Sequence, residues 1–366
     1  MRPHISIIVP TCGRPEALGR LLAYLGKQQL DDGCSFEVII ALDGAGANGG
    51  ETVDTIMLPN RSAVEVRYLR LERVGISAAK NAAVAASLGD VLLFVNDDVE
   101  PCANFVQQHA DAQAAGHRVV LGYSPWAHYP DQKIFDEMIA RTRMVFFYSD
   151  LKRGHSYGFR YAWNLNLSVE RSRVDRLVGP FSESLQPVFY DDVEFAHRLI
   201  GDEACVFYES NARAMHRHRF TIESYFEREA LLGVMAHSLQ EVNEACFRAI
   251  FSVGLDDLIR AAEHAVDHDV TDEMRALATV TDLAACRIDH PVDERLVRAL
   301  YAAHLPLKRR AFRLGLLARY AAPDCDWRDY ADLVRRSLTA DAVMGGLSEW
   351  PSDSMVHVRA GVPVGV

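Results

Sequence analysis

The sequence predicts an α/β protein with a mostly parallel open sheet that is flanked by helices and followed by a helical C-terminal region. Two observations lead to this class. Over the first part of the chain, apolar runs without polar alternation are separated by segments of helical periodicity, as in sheets covered on both faces. From about residue 222 to about residue 339 the periodicity is helical throughout. We therefore expect one domain over residues 1–220 and a helical region over 221–366.

The first predicted elements are a strand, a helix and a second strand. The run HISIIV (4–9) ends at Pro10 and predicts a short buried strand. Leucines at helical spacing predict a helix over 16–29. The β-branched run FEVIIAL (36–42) predicts the second strand.

The alternation continues after that strand. A glycine-rich loop and a short helical stretch that ends at Pro59 are expected next. EVRYLRL (65–71) predicts a third strand, and the alanine-rich SAAKNAAVAASL (77–88) predicts a helix. VLLFV (91–95) predicts a fourth strand that runs directly into acidic residues.

Composition excludes several classes of protein. The 366 residues carry 39 Lys and Arg against 50 Asp and Glu, so the net charge is −11 and a nucleic-acid partner is not expected. The seven cysteines are widely spaced without a C-x-x-C pair, which favours a reducing compartment. No apolar run reaches the roughly 18 residues of a membrane span. We expect a cytoplasmic protein.

Acidic residues follow the fourth predicted strand. Asp97 and Asp98 stand side by side, where their charges repel and burial would raise their pKa values. A divalent cation such as Mn²⁺ or Mg²⁺ that bridges to a diphosphate would relieve this repulsion. The alternative is a solvated turn whose aspartates cap a helix.

A second acidic group opens a helical run far downstream. Asp191 and Asp192 could complement the helix dipole, or one of them could act as a general base. His216 follows another short apolar run, over 204–208, and is either a metal ligand or an ordinary surface histidine.

The order of these segments resembles the family 2 type glycosyltransferases of the GT-A fold, in the nucleotide-diphospho-sugar transferase superfamily. The resemblance covers about residues 4–230. The segments that carry it are IIVPTCGRPEALGRLL (7–22), VIIALDG (38–44), RVGISAAKNAAVAASLGDVLLFVNDDVEP (73–101), NLSVER (166–171), VGPFSESL (178–185) and DDVEFAHRL (191–199).

The resemblance implies a role for each matching residue. Asp192 would be the catalytic base and Asp191 would help to hold the acceptor, while Asp98 and His216 would bind the metal. The nucleotide-sugar site would comprise Pro10, Thr11, Arg14, Asp43, Lys80 and Asp97. Two positions depart from the family pattern. Lys80 stands where an arginine near the diphosphate is usual, and Asn96 replaces a frequent aspartate.

The implied activity is a metal-dependent, inverting transfer of a sugar from a UDP-, GDP- or dTDP-sugar to a carbohydrate, lipid-linked or small-molecule acceptor. A sugar nucleotidyltransferase is one alternative, but it would need a glycine-rich basic loop after the first strand, where this chain has PTCGRPE (10–16). A non-catalytic sugar-binding or scaffold protein is another. The joint presence of Asp98, Asp192 and His216 argues against it.

Three further signals leave alternatives open. The G-x-G-x-x-G pattern over 44–49 is typical of dinucleotide sites, but it follows the second strand rather than the first, which favours a flexible loop. Aromatic residues between 123 and 163 could stack on a sugar acceptor or anchor the core. The basic segment 304–320 could contact the inner face of a membrane peripherally, or form a core-packed helix. The sequence also allows an oligomer.

Overall fold

A computed structural model of the chain describes residues 4–45, 51–185, 189–268, 280, 283–288 and 291–323. The chain forms two compact units, the first from residues 1–128 and 145–218, the second from 129–144 and 219–366. The predicted domain boundary at residue 220 stays a prediction, because a unit defined by its contacts need not fold alone. Predicted features at 46–49, 269–279 and 324–339 lie outside the described residues.

The first unit is built on one open sheet. Its strands are β1 Ile5–Thr11, β2 Phe36–Asp43, β3 Glu51–Met57, β4 Ala63–Leu71, β5 Val91–Val95, β6 Val99–Pro101, β7 Val119–Tyr123, β8 Ser156–Tyr157, β9 Asn166–Glu170 and β10 Val206–His216. They pair in the order β3-β4-β2-β1-β5-β9-β7-β10-β6, and β8 pairs with β10.

Helices surround the sheet in the first unit and make up most of the second. Those of the first unit are α1 Pro15–Leu25, α2 Ile76–Ala86, α3 Phe105–Ala114, α5 Arg171–Val174 and α6 Asp191–Ile200. Those of the second unit are α4 Ile134–Arg141, α7 Ile222–Val242, α8 Glu244–Phe251, α9 Leu255–His268 and α10 Glu294–Ala321.

The part of the sheet around β1 is parallel. Strand β1 runs parallel to β2 on one side and to β5 on the other, and β2 runs parallel to β4. Every residue of β1 is buried, which explains its continuous apolar run. The carboxyl ends of these strands share one edge, where ligands bind in open α/β sheets. The predicted α/β class with a flanked open sheet is confirmed.

The short helix predicted before Pro59 is wrong. Residues 51–57 form β3, which pairs antiparallel with β4 at the edge of the sheet. The segment ETVDTIM contains four β-branched residues, which favour an extended backbone. Because β3 is an edge strand, Val53 and Met57 remain 61% and 55% exposed, and the apolar pattern of a buried strand is missing.

Strand β10 is longer than the predicted run over 204–208. It extends to His216, which pairs antiparallel with Val99 of β6. Its pairing with β7 is interrupted by a register shift between Glu209 and Arg213, which obscures the strand pattern in the sequence. The pairing with β6 brings His216 next to the residue that follows Asp98.

In the second unit α7 and α10 pack with their backbones in direct contact. A Cβ atom added at Gly233 would lie 2.0 Å from the carbonyl oxygen of Phe312, and one added at Gly315 would lie 1.8 Å from that of Ala230. Arg219 contacts Asp131 and Asp136 at 2.7 and 2.8 Å, which ties residues 129–144 to this unit.

The basic segment 304–320 lies within α10. Its buried residues, among them Leu307, Ala311 and Leu316, form an apolar face, as the alternative of a core-packed helix requires. The peripheral membrane contact stays a prediction. Within the described ranges, no helix combines the length and apolar character that crossing a bilayer requires.

Candidate functional site

The first centre lies where β1 and β5 end. Asp97 is fully buried and accepts a hydrogen bond from Thr11 Oγ1 at 2.5 Å. The guanidinium of Arg14 contacts both of its carboxylate oxygens, at 2.5 and 3.1 Å. Burial raises the pKa of Asp97 and the adjacent Asp98 adds to the rise, while Thr11 and Arg14 act in the opposite direction.

Asp98 faces two histidines and the same arginine. Oδ2 of Asp98 accepts a hydrogen bond from Arg14 at 2.8 Å, and Nδ1 of His218 lies 3.8 Å from that oxygen. Nε2 of His216 lies 3.4 Å from Oδ1 of Asp98, beyond the usual N–H···O distance. Burial favours a raised pKa for Asp98, but the two histidines and Arg14 outweigh it and hold the pKa well below its usual range.

This first centre has atoms whose bonding capacity is unused. Oδ1 of Asp98 and Nδ1 of His216 are buried and have no hydrogen-bond partner among the described residues. Since a buried polar atom without a partner is costly, a cation between Asp98 and His216 would relieve the carboxylate oxygen. One carboxylate and one imidazole form a donor set that Mn²⁺ accepts more readily than the oxygen-selective Mg²⁺.

A complete metal cage is not preformed. Among the residues that the structure describes, no three or more His, Cys, Asp or Glu side chains are arranged to hold an ion. Ions of this kind are commonly held by one or two protein ligands together with substrate phosphates and water. Asp98 and His216 fit that pattern.

The second centre joins α2 to the start of α6. The ammonium of Lys80 lies 2.6 Å from Oδ2 of Asp191 and 3.0 Å from Oδ1 of Asp192. The side chains of Lys80 and Asp191 are 4% and 6% exposed, whereas that of Asp192 is 27% exposed. Asp192 is therefore the carboxylate that a substrate can reach.

The Lys80 ammonium affects the two carboxylates unequally. Burial raises the pKa of Asp192 to about 6, and Asp191 adds to the rise while Lys80 opposes it. Burial acts on Asp191 in the same direction, but Lys80 outweighs it and holds the pKa of Asp191 below its usual value. Asp192 can therefore take up a proton near neutral pH while Asp191 stays ionised.

Asp192 is also held by the backbone. Its Oδ2 accepts a hydrogen bond from the backbone N–H of Asn164 at 2.9 Å. The preceding residue, Trp163, contacts Phe146 with ring centroids 5.1 Å apart, and Phe146 contacts His216 at 6.0 Å. Aromatic rings thus connect the two centres, which places them in one region of the first unit.

Two other residues predicted to bind the nucleotide, Asp43 and Pro10, lie where they support the fold. Both carboxylate oxygens of Asp43 accept backbone hydrogen bonds, from Val74 at 2.7 Å and from Gly75 at 3.2 Å, so Asp43 anchors the start of α2. Pro10 is buried inside β1, opposite Ala41 of β2. The contacts predicted for Asp43 and Pro10 with a nucleotide stay predictions.

The structure thus brings the predicted residues into two groups and adds others. Asp97, Asp98, His216, Thr11 and Arg14 lie together, while Lys80 lies with Asp191 and Asp192. Two additional residues were not predicted from the sequence. His218 lies two residues beyond His216, and this spacing in an extended segment could have indicated it. Asn164 acts through its backbone, for which no sequence signal exists.

Residues 6–165 match the sequence model of the family described as glycosyl transferase family 2. No curated protein matches the chain.

Several solved structures are similar to this chain at low sequence identity. S. aureus TarS 1–349 is 15% identical over 88% of this chain and 92% of its own, with a TM-score of 0.44. In complex with UDP-GlcNAc, it is 16% identical over 92% of this chain and 91% of its own, with a TM-score of 0.43. The mannosyltransferase PcManGT of Pyrobaculum calidifontis, with GDP-Man and Mn²⁺, is 14% identical over 99% of this chain and 89% of its own, with a TM-score of 0.43.

Proposed function

We propose that this chain, whose residues 6–165 match the sequence model of glycosyl transferase family 2, is a glycosyltransferase that moves a sugar from a nucleotide-diphosphate donor to an acceptor hydroxyl with inversion at the anomeric carbon. The observation that carries the proposal is the second centre. There a partly exposed carboxylate of raised pKa, Asp192, is fixed by Lys80 on one oxygen and by a backbone N–H on the other.

Asp192 has the properties of a general base. A base works best when its pKa lies near the working pH, and burial brings the pKa of Asp192 towards that range. Asp191 is buried against Lys80 and cannot take the same role. Asp191 keeps Lys80 in place, and Lys80 in turn orients Asp192, so both are positioning residues.

The reaction follows from this arrangement. Asp192 accepts the proton of the acceptor hydroxyl while the hydroxyl oxygen forms a bond to the anomeric carbon. The bond from that carbon to the diphosphate oxygen breaks, and its electron pair leaves with the nucleoside diphosphate. A single displacement with one base on the face opposite the leaving group inverts the anomeric configuration.

The first centre is the proposed place of the donor diphosphate. Asp98 and His216 would hold a divalent cation, Mn²⁺ or Mg²⁺, which supplies positive charge against the leaving diphosphate when it is bound. Arg14 is half-exposed and contacts both Asp97 and Asp98, so it fixes the two carboxylates relative to each other. Thr11 and Arg14 keep Asp97 oriented for a hydroxyl of the donor.

The aromatic rings between the centres are suited to a carbohydrate acceptor. Trp126 lies 4.6 Å from His216 and 5.8 Å from Phe146, measured between ring centroids. Both Trp126 and Phe146 are part-exposed. The apolar face of a sugar ring stacks on such surfaces, which supports a sugar-bearing acceptor over an acceptor without a ring.

The test is a donor screen with two variants. The parent is incubated with UDP-, GDP- and dTDP-sugars and Mn²⁺, and released nucleoside diphosphate is quantified by chromatography. Asp192→Asn should lose transfer by at least about a hundredfold, the scale of a general base, while it keeps donor binding. Asp98→Ala should lose donor binding as well. Release of pyrophosphate instead would identify a nucleotidyltransferase, and full transfer by Asp192→Asn would refute the assignment of the base.

A further inference from the structure

The second unit contains a cavity that the proposed transfer does not use. It has a volume of about 400 Å³ and lies among α7, α8, α9 and α10. This volume falls in the range of about 300–1,000 Å³ that small-molecule sites occupy. Apolar side chains form most of its wall, among them Phe251, Leu258, Ala262, Phe312 and Leu316.

The charged residues in the wall are mostly cations. Lys308, Arg309 and Arg313 line the cavity together with one carboxylate, that of Glu229. The carboxylate is 2% exposed, lies 2.6 Å from Arg228 and lies 3.6 Å from the ammonium of Lys308. Glu229 is therefore already neutralised within the protein, and the exposed Arg309 adds positive charge to the wall.

We propose that this cavity binds a single-chain anionic amphiphile, with its apolar chain against the phenylalanines and leucines and its anionic head near Arg309. Apolar walls select the chain by the area they remove from water. The positive charge of Arg309 selects a negative head over a neutral or positive one. Such a site is distinct from the membrane contact predicted for 304–320, which would place a helix face on a bilayer surface.

A chain-length series tests the apolar part on the parent protein. The full chain is titrated by calorimetry with octyl, decyl and dodecyl phosphate, each kept below the concentration at which it forms micelles. Each buried methylene should tighten binding about fourfold, so two methylenes should give about fifteenfold, at one molecule per chain. Equal affinity across the series, or a stoichiometry well above one, would overturn the proposal.

The head group is tested by charge. Dodecanol and dodecyl trimethylammonium should bind at least about tenfold more weakly than dodecyl phosphate, and inorganic phosphate alone should not bind measurably. Arg309→Glu should weaken dodecyl phosphate about tenfold or more, because Arg309 is exposed and its reversal leaves the fold intact. The matched control is Arg295→Glu, at an exposed position of the same helix outside the cavity wall.

The cavity itself is tested by filling it. Ala261 is exposed on α9 and lines the cavity, so Ala261→Phe should reduce its volume without disturbing the core. Ala302→Phe adds the same ring at an exposed position of α10 outside the wall. We expect Ala261→Phe to weaken dodecyl phosphate at least about tenfold and Ala302→Phe to have no effect. Binding of dodecanol equal to that of dodecyl phosphate, or equal loss in both phenylalanine variants, would refute the proposal.

Discussion

Lys80→Gln removes the ammonium that contacts Asp191 and Asp192 and keeps a polar side chain of similar reach. At the 3.0 Å that separates Lys80 from Asp192, and with an effective dielectric constant of about 20, the attraction is on the order of 5 kcal/mol. This value sets an upper limit of about four pKa units, and neighbouring cations typically change a carboxyl pKa by about one to three. The pKa of Asp192, about 6 in the parent, should rise to between about 7 and about 9.

The rise in pKa predicts how the rate depends on pH. A base is active only when it is ionised, so the parent should gain kcat/KM as the pH rises through about 6. If the pKa of Asp192 in the variant is about 8, about nine-tenths of it is protonated at pH 7, and kcat/KM falls about tenfold there. At pH 9 the variant should recover most of the parent rate, because Asp192 is then ionised in both proteins.

The assay is release of nucleoside diphosphate from pH 5 to pH 10, with kcat and KM for the donor separated at each pH. Lys80→Arg is the matched control, since it keeps the positive charge and should keep the acid limb of the parent, although its larger planar head fits the buried site less well. Arg118→Gln removes an exposed arginine that contacts Glu170 at 3.2 Å in the same unit and should leave the profile unchanged.

The competing role of Lys80 gives a different result. If Lys80 contacts the donor diphosphate, as the family resemblance implies, its loss should raise KM for the donor by a similar factor at every pH and leave the acid limb near 6. That outcome would refute the positioning role. Thermal unfolding of the variant at pH 6 and pH 9 checks that a lost rate is not lost structure.

Two other predictions concern the first centre and the helical unit. In calorimetry with a nucleoside diphosphate present, Asp98→Ala and His216→Ala should each weaken Mn²⁺ binding about tenfold or more. His155→Ala, at an exposed loop position, is the control and should leave the affinity unchanged. Unchanged affinity in the first two variants would show that Asp98 and His216 are not metal ligands. In urea unfolding, Gly315→Ala should lower the free energy of unfolding by about 1–3 kcal/mol, because the new Cβ meets the backbone of Ala230. Gly19→Ala, at an open position of α1, should raise the free energy of unfolding by about 0.5–1 kcal/mol. Equal effects of the two substitutions would contradict the close helix contact.

The sequence predicted β1, β2 and β5 because these strands are mostly buried. In β1, β2 and β5 nearly every residue is apolar, so the run itself shows where the strand begins and ends. Strand β3 could not be recognised this way, because it lies at the edge and most of its residues are exposed. The register shift in β10 hides the second half of that strand for a different reason, since the alternation of side chains is broken there.

The residues of the two centres could be predicted better than their partners. Aspartates at strand and helix ends stand out in the sequence, and the order of motifs made them the predicted site residues. The ion pair of Lys80 joins residues 111 and 112 positions apart, and nothing in their local pattern indicates that they meet. Asn164 contacts Asp192 through its backbone N–H, which every residue except proline has, so the sequence gives no sign of this hydrogen bond.

The charges of the two centres support the proposal that a cation accompanies the donor. Asp97, Asp98, Asp191 and Asp192 carry four negative charges when ionised, and the ion-paired Arg14 and Lys80 offset two of them. The remaining two negative charges would repel a diphosphate in a region of reduced dielectric constant. One divalent cation on Asp98 and His216 would cancel this excess, so we expect donor binding and cation binding to strengthen each other by the same factor. When no divalent cation is added, the nucleotide should therefore bind poorly, even though Arg14 and Lys80 are both present.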